Sequence, residues 1–415
     1  MLVMKPKVYE VINNLKSLLG ELIEINEGLV KLLAPNLAKY SQGRHIEPRW
    51  APVFYNPLTV ISRNIDILVM EVYRNIYKSR VHVCDLLSAT GIRGIRYLVE
   101  SNADWVVFND IDKRAYELIK INVLLNEVED RATIYNLDAN LLLSFYTYKK
   151  GKFDVIDIDP FGTPVLFIDS ALRAVRNGGM LSVTATDLAP LLGVKNNACL
   201  RKYQAISMKV PFSREIAVRI LIGYLSRQAA KYELAVIPVF SYSLLHIVRV
   251  HVLVRRGAIR ADETLRNMGY ARYCSNCGYR DLVREYPATS LSVNCPNCHR
   301  KLLIAGPLWT GSLWDLDFVD EVYQAYREKA YLHERHLLNI LKAINRESRA
   351  PPLYYSVKEF SRAFRVREVS PKTLINELRS KGFLACKTHF DPKGFKTNAT
   401  INIIRDFILS IVKGG

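Results

Sequence analysis

The feature that most constrains this chain is an alternation of apolar runs and amphipathic segments between residues 81 and 185. Residues 81–87, 105–108, 132–135, 153–158 and 180–184 read as buried strands. Helices are expected near 92–100, after Asp112 with Ala115, Leu118, Ile119 and Val123 on the apolar face, and near 165–175. Strands separated by helices at this spacing pair in parallel through crossovers. The fold class is therefore α/β, a mostly parallel, doubly wound sheet of Rossmann-like type. Residues 234–240 and 245–254 are expected to close one edge as a hairpin, with a helix over 214–231 before them.

Acidic residues stand where successive strands end. Asp85 leads into Ser88-Ala89-Thr90-Gly91-Ile92-Arg93-Gly94, a turn whose glycines let a backbone approach a ligand at a helix N-terminus. The turn departs from G-x-G-x-x-G. Asp110 ends the second strand, 25 residues after Asp85, where a carboxylate can hold both hydroxyls of a ribose. Asp138-Ala139 follows the third strand, where an adenine edge would lie. Carboxylates without a pyrophosphate grip suit the cationic S-adenosylmethionine better than NAD. The same residues also make a plain tight turn with two capping carboxylates.

The fourth strand closes on Asp159-Pro160-Phe161-Gly162. An exocyclic amine on a base is a poor nucleophile, because its lone pair is delocalised into the ring. A carboxylate accepting its N–H aims the lone pair and stabilises the developing charge. Asp159, with a backbone carbonyl held by Pro160, fits that task, and Phe161 can stack on the base. The competing reading is a proline-terminated strand with a buried Phe.

With these residues together, the chain resembles the archaeal and eukaryotic tRNA (guanine-26 N2) dimethyltransferase family. The resemblance is carried by Ala51-Pro52-Val53-Phe54-Tyr55-Asn56-Pro57, Asp85 through Gly94, Asp157-Ile158-Asp159-Pro160-Phe161-Gly162-Thr163-Pro164 and Thr184-Ala185-Thr186-Asp187. Arg201-Lys202-Tyr203 and Thr388-His389-Phe390-Asp391-Pro392 add to it. It implies a class I methyltransferase domain, a C-terminal domain specific to these enzymes, and transfer of one or two methyls to N2 of a tRNA guanine. It also implies cofactor binding by Arg63, Arg93, Asp110, Asp138 and Ala139, beside Asp85 and Gly91 of the turn. Asp159, Pro160 and Phe161 would form the catalytic set, with Phe54 as a second wall of the base pocket. Ser62-Arg63-Asn64 departs from the family's Asn-Arg-Asp.

Two pairs, Cys274-x-x-Cys277 and Cys295-x-x-Cys298, are separated by 17 residues. Each pair turns two thiolates toward one point, and four thiolates make a closed, structural Zn2+ site. Two metal-free dithiols are the alternative. Cys84, Cys199 and Cys386 are dispersed in apolar surroundings, unlike a secreted disulfide framework. No run reaches a membrane span, and residues 1–7 lack a signal-peptide pattern. A cytoplasmic protein with no membrane association and no obligate protein partner is expected.

Charge is partitioned within the net +18. Residues 81–200 carry 12 basic and 15 acidic groups, whereas 201–260 carry 11 and 2, and 327–400 carry 16 and 7. The block for a cationic cofactor is thus slightly negative, and two later blocks offer phosphate-binding surface for tRNA. Arg219, Arg249, Arg379 and Lys396 belong to these blocks, with Phe360, Phe364, Phe383 and Phe390 among them. The domain reading is 1–260 for the methyltransferase and 261–415 for a C-terminal α+β, tRNA-binding domain. That domain would hold a zinc-ribbon-like insertion at 270–305, one long helix over 318–349 and a helix-turn-helix-like segment over 357–383. A methyltransferase for another exocyclic amine of RNA or DNA, and a non-catalytic zinc-ribbon RNA-binding protein, are the alternatives.

Overall fold

The computed structural model describes residues 17–42, 45–77 and 80–413, so the reading of residues 1–7 lies outside the described chain. The strands are β1 (Leu22–Glu27), β2 (Val30–Pro35), β3 (Ser41–Gln42), β4 (His45–Ile46), β5 (His82–Asp85), β6 (Trp105–Asn109), β7 (Ala132–Tyr135), β8 (Phe153–Ile158), β9 (Val175–Ala185), β10 (Leu234–Leu244) and β11 (Ile247–Arg256). Further along are β12 (Met268–Tyr273), β13 (Arg280–Val283), β14 (Leu303–Trp309), β15 (Tyr355–Ser356), β16 (Ala385–Lys387) and β17 (Gly394–Thr397). The central sheet has the order β10-β11-β9-β8-β5-β6-β7. Strand β5 pairs in parallel with β6 and with β8, and β6 with β7. Strands β10 and β11 form the expected antiparallel hairpin. Strand order reverses between β5 and β8, where a doubly wound sheet opens a crevice beyond its strand ends.

The described residues form two compact units. One contains the chain through Asp159, with Asp169–Ser182 and Gln324–Leu337; the other contains Pro160–Ile168, Val183–Tyr323 and the chain from Leu338. In the first, all six residues of β8 are buried, as expected of a strand covered on both faces. Helix Ile92–Glu100 lies close against β6. A Cβ on Gly94 would stand 2.3 Å from a ring carbon of Phe108, so only glycine permits that approach. The β1–β2 hairpin was not expected. Asn122 bonds both the N–H and the C=O of Leu33, at 2.8 and 3.0 Å, and fastens the hairpin to helix Lys113–Leu125.

In the second unit, helix Ser213–Ala230 is buried on nearly every side. Strands β13-β12-β14 carry the cysteine loops, and β15-β17-β16 form a second small sheet. Helices Val357–Phe364, Pro371–Ser380 and Ile401–Lys413 bury Phe360, Leu374, Leu378, Phe395 and Ile404 in one core. The helix pair expected at 357–383 is present.

The single long helix expected over 318–349 is corrected to two, Leu316–Glu328 and Arg335–Glu347, with a 3-10 turn at Ala330–Leu332. No Pro or Gly forces the break. Tertiary contacts do: Leu332 is buried, and Lys329 Nζ reaches Glu71 at 2.8 Å and the Glu100 carbonyl at 2.9 Å.

Candidate active site

The glycine turn is built by local bonds. Gly91 caps helix Ile92–Glu100 at φ +78°, a conformation that excludes most side chains. Ser88 Oγ donates to the Asp85 carbonyl at 2.7 Å, and the Gly91 N–H donates to Ser88 at 2.7 Å. Asp110 ties the turn to the neighbouring strand end. Its two carboxylate oxygens accept the N–H groups of Ala89 and Asp112, each at 2.9 Å. Burial raises the Asp110 carboxyl, and these two donors oppose the rise.

Asp85 accepts the Gly94 N–H at 3.0 Å. Burial first, then the charge of Asp157, lifts its carboxyl well above the usual range; Asp159 and Asp110 add to this against the Gly94 donor. Arg93 is the cation set among these acids. It pairs with Asp66 and with Asp159, and its Nε lies 3.8 Å from Asp157. Tyr97 donates to Asp157 at 2.6 Å. Asp66 and Asp157 have fully buried side chains, whereas Asp159 is one-third exposed. Three carboxylates therefore meet one guanidinium, with Asp85 and Asp110 at neighbouring strand ends. The excess is negative, and a region of low dielectric magnifies it. Such a strand-end group can receive a cation and can present Asp159 as a fixed acceptor.

The sequence-derived residues are not all gathered here. Asp138 is exposed and caps helix Ala139–Phe145, accepting from Asn140 at 2.9 Å and Leu141 at 3.0 Å; Ala139 is buried beside it. Arg63 grips Glu27 with two 2.6 Å bonds and also donates to Thr59 at 2.7 Å. Glu27 accepts from Arg96 at 2.9 Å and Tyr55 at 3.0 Å, and Arg96 holds Glu100 through two 2.8 Å bonds. Burial pushes Glu27 up, and the two guanidiniums outweigh it, leaving the carboxyl lowered. Phe54 is half-buried. Glu27 and Asp66 were missed by sequence reasoning. Glu27 is 36 residues from Arg63 and 69 from Arg96, and no local pattern links them.

Pro160 is buried and Phe161 is 60% exposed, in the second unit. The turn after them is fastened to a second motif. Gly162 N–H donates to Thr186 Oγ1 at 2.6 Å, and the Gly162 carbonyl accepts the Thr186 N–H at 2.9 Å. Asp187 accepts from Tyr203 at 2.5 Å and Lys202 at 2.8 Å. Three stretches that carry the resemblance are thereby joined.

The four thiols of Cys274, Cys277, Cys295 and Cys298 lie within 4.8 Å of one another. Tetrahedral zinc with ~2.3 Å bonds sets its sulfurs about 3.8 Å apart, so the cluster fits a metal of that size. Two like turns build it. Gly278 and His299 each have positive φ and donate their N–H to Cys274 and Cys295, both at 2.9 Å. His299 is thus part of a turn, and its ring is not among the four grouped ligand atoms.

Three members of the expected phosphate-binding blocks are corrected. Arg219, Arg249 and Lys396 are buried, paired with Glu215, Thr184 and Glu215 with Glu347 respectively. Phe360 and Phe390 are core residues. The side chain of Phe364 lies outside the described residues.

The parallel order β7-β6-β5-β8, continued through β9 to an antiparallel hairpin, is that of a class I methyltransferase. The solved structure of Trm1 from Pyrococcus horikoshii with S-adenosyl-L-methionine matches with a TM-score of 0.80 at 34% identity, over 93% of this chain and 99% of that one. Residues 38–409 match the N2,N2-dimethylguanosine tRNA methyltransferase family, and the chain belongs to that family. It is 36% identical to the tRNA (guanine(26)-N(2))-dimethyltransferase of Methanobrevibacter smithii, over 93% of this chain and 97% of the relative. The enzyme of that name from Saccharolobus islandicus is 38% identical over 91% and 96%. The expected fold class and the resemblance read from the motifs are both borne out. No helix among the described residues is long and apolar enough to cross a membrane.

Proposed function

We propose that this chain transfers one or two methyl groups from S-adenosylmethionine to the exocyclic N2 of a guanine in tRNA, at position 26. Relatives over nearly the whole chain are named for that reaction, and the matching solved structure was obtained with that cofactor. The observation that carries the mechanism is Asp159 at the carboxyl end of β8, paired with Arg93.

In this reading the cofactor supplies an electrophilic methyl group, and the protein supplies position and charge. Asp85, Gly91, Arg93, Asp110, Asp138 and Ala139 hold the cofactor, and Arg63 supports them through Glu27. The negative excess around Arg93 favours a cationic sulfonium. Asp159 accepts an N–H of the guanine amine, which orients the lone pair and offsets the positive charge that grows on nitrogen. Its pairing with Arg93 holds the carboxylate in place for that role. Pro160 fixes the turn, and Phe161 offers a face to a base taken out of its stack. The four cysteines bind Zn2+ structurally, because four thiolates leave no open coordination position. Residues 1–260 carry methyl transfer, residues 261–415 engage tRNA, and the protein acts in the cytoplasm.

The test is methyl transfer to unmodified tRNA, followed by position-mapped nucleoside mass spectrometry. N2-methylguanosine or N2,N2-dimethylguanosine at position 26 is expected. Asp159→Ala should lower kcat by about 10²–10³-fold while leaving tRNA affinity unchanged. Full activity in that variant removes the mechanism; a methylated adenine or cytosine removes the substrate assignment.

A further inference from the structure

An open cleft of about 330 Å³ lies in the second unit, lined by Asn345, Arg346, Arg349, Arg379, Phe383, Leu384, Ala385 and Cys386. It is formed by the end of helix Arg335–Glu347, the end of helix Pro371–Ser380 and strand β16. None of these residues belongs to the methyl-transfer machinery.

The three arginines are exposed and differ in their partners. Arg349 pairs with Asp320 at 2.6 Å and donates to the Asn345 carbonyl at 2.8 Å. Asn345 also donates to Asp320 at 2.6 Å, so one carboxylate fixes two lining residues. Arg379 Nε donates to the Ala385 carbonyl at 2.7 Å, which orients its guanidinium without neutralising it. No carboxylate pairs with Arg346 or Arg379 among the described residues. Among the described residues Asp320 is the one carboxylate paired with these guanidiniums, and the buried Glu347 near Cys386 is offset by Lys396, so the cleft is positive. Lys342, one helical turn before Arg346, extends the charge.

The remaining wall is apolar: half-buried Phe383, exposed Leu384 and buried Ala385. Burial lifts the Cys386 thiol to about 11, so it stands in the floor as a neutral group and not as a nucleophile. Guanidinium forks match phosphate oxygens in pairs, and an apolar wall suits a sugar. The exposure of all three arginines fits a polymer lying across the cleft rather than an enclosed metabolite.

We propose that this cleft binds a phosphodiester of the tRNA backbone, with Arg346 and Arg379 on the phosphate and Phe383 and Leu384 against the adjoining ribose. The assignment rests on tRNA being the substrate. It gives the C-terminal basic block a specific contact point that positions RNA without reading its sequence.

The experiment uses full-length protein, unmodified tRNA and the double variant R346Q/R379Q. Its tRNA Kd should rise about 5–30-fold at moderate salt, and the slope of log K against log salt should fall by about 1–2. KM for tRNA should rise in parallel, with kcat at saturating tRNA within about twofold of wild type and cofactor affinity unchanged. Arg346→Lys keeps the charge and should retain most of the affinity, which separates a phosphate contact from a folding defect. A double variant with wild-type melting temperature, tRNA affinity and salt slope overturns the proposal. So does stabilisation of the wild type but not the variant by inorganic phosphate or guanosine monophosphate while tRNA binding is equal in both, because the site then serves a small anion. Wild-type protein that shows this arginine-dependent tRNA binding yet transfers no methyl group supports the cleft and removes the methyl-transfer reading.

Discussion

Replacing Lys396 by Met should unfold the second unit far more readily, because this ammonium is the cation between two buried carboxylates. It is 1% exposed, 3.2 Å from Glu215 and 3.6 Å from Glu347, whose side chains are wholly buried. It also lies over the rings of Trp314 and Phe390, at 5.0 and 5.7 Å. Glu215 keeps Arg219 at 2.7 Å and the Leu353 N–H at 3.0 Å. Glu347 accepts from Thr388 Oγ1 at 2.5 Å, from the His389 N–H at 2.8 Å and from His389 Nδ1 at 2.5 Å. The Ser243 N–H donates to His389 Nε2 at 3.2 Å, which fixes the ring with its Nδ1 toward Glu347. Lys396 is thus the ammonium shared by both acids, and without it Glu347 loses its lysine partner in a fully buried site.

Breaking such a group from one side costs about 3–5 kcal/mol. Linkage gives a similar figure. Burial alone would raise Glu215, but Lys396 and Arg219 outweigh it and hold the carboxyl at about 2, from an ordinary 4.5. That difference corresponds to about 3 kcal/mol at ~1.4 kcal/mol per pH unit. The lowered value means that this stability is present above pH 4.5 and is lost as pH falls toward 2. At ~2.1 cal/mol/K per residue the second unit has an unfolding entropy of about 0.5 kcal/mol/K, so its Tm should fall by about 6–10 °C. Calorimetry at pH 7 and an acid titration by circular dichroism measure both effects; in the variant the acid transition should move to higher pH. An unchanged Tm with an unchanged acid midpoint refutes the reasoning.

Gly94→Ala should cost about 1–3 kcal/mol in urea denaturation, since its methyl would overlap the Phe108 ring; a neutral substitution would show that the helix can shift freely. Asp85→Asn should stabilise the protein at neutral pH while weakening cofactor binding. The native carboxyl is raised, so ionising it costs stability as pH climbs above the unfolded value, and the gain in Tm should grow with pH. A gain that shrinks with pH would contradict this. Chelation, or Cys295→Ser, should release one equivalent of zinc and lower the Tm of the C-terminal region; zinc-free protein of unchanged Tm would argue against a structural metal.

Much of the parallel sheet and its strand-end turns was legible because those signals are local. Buried parallel strands read as largely apolar runs, and β8 spans the expected residues 153–158. The turn from Asp85 to Gly94 and the Cys-x-x-Cys pairs are short-range geometry, and the structure closes both as their spacing implies. The β1–β2 hairpin and the break between residues 328 and 335 were not legible. Each depends on contacts made far along the chain, by Asn122 and by Glu71 with Glu100.

Charge shows the division most clearly. Composition alone established that residues 201–260 and 327–400 are strongly basic. It could not say which of those cations reach solvent. Lys396 and Arg219 are spent on internal carboxylates, whereas Arg346 and Arg379 face an open cleft. Sequence specifies how many charges a segment carries and the order of its strands and turns, because both follow from neighbours in the chain. Which acid meets which base is set by packing of segments tens to hundreds of residues apart. Only the tertiary structure decides that Arg93 stands on Asp159 and that Glu27 engages Arg63.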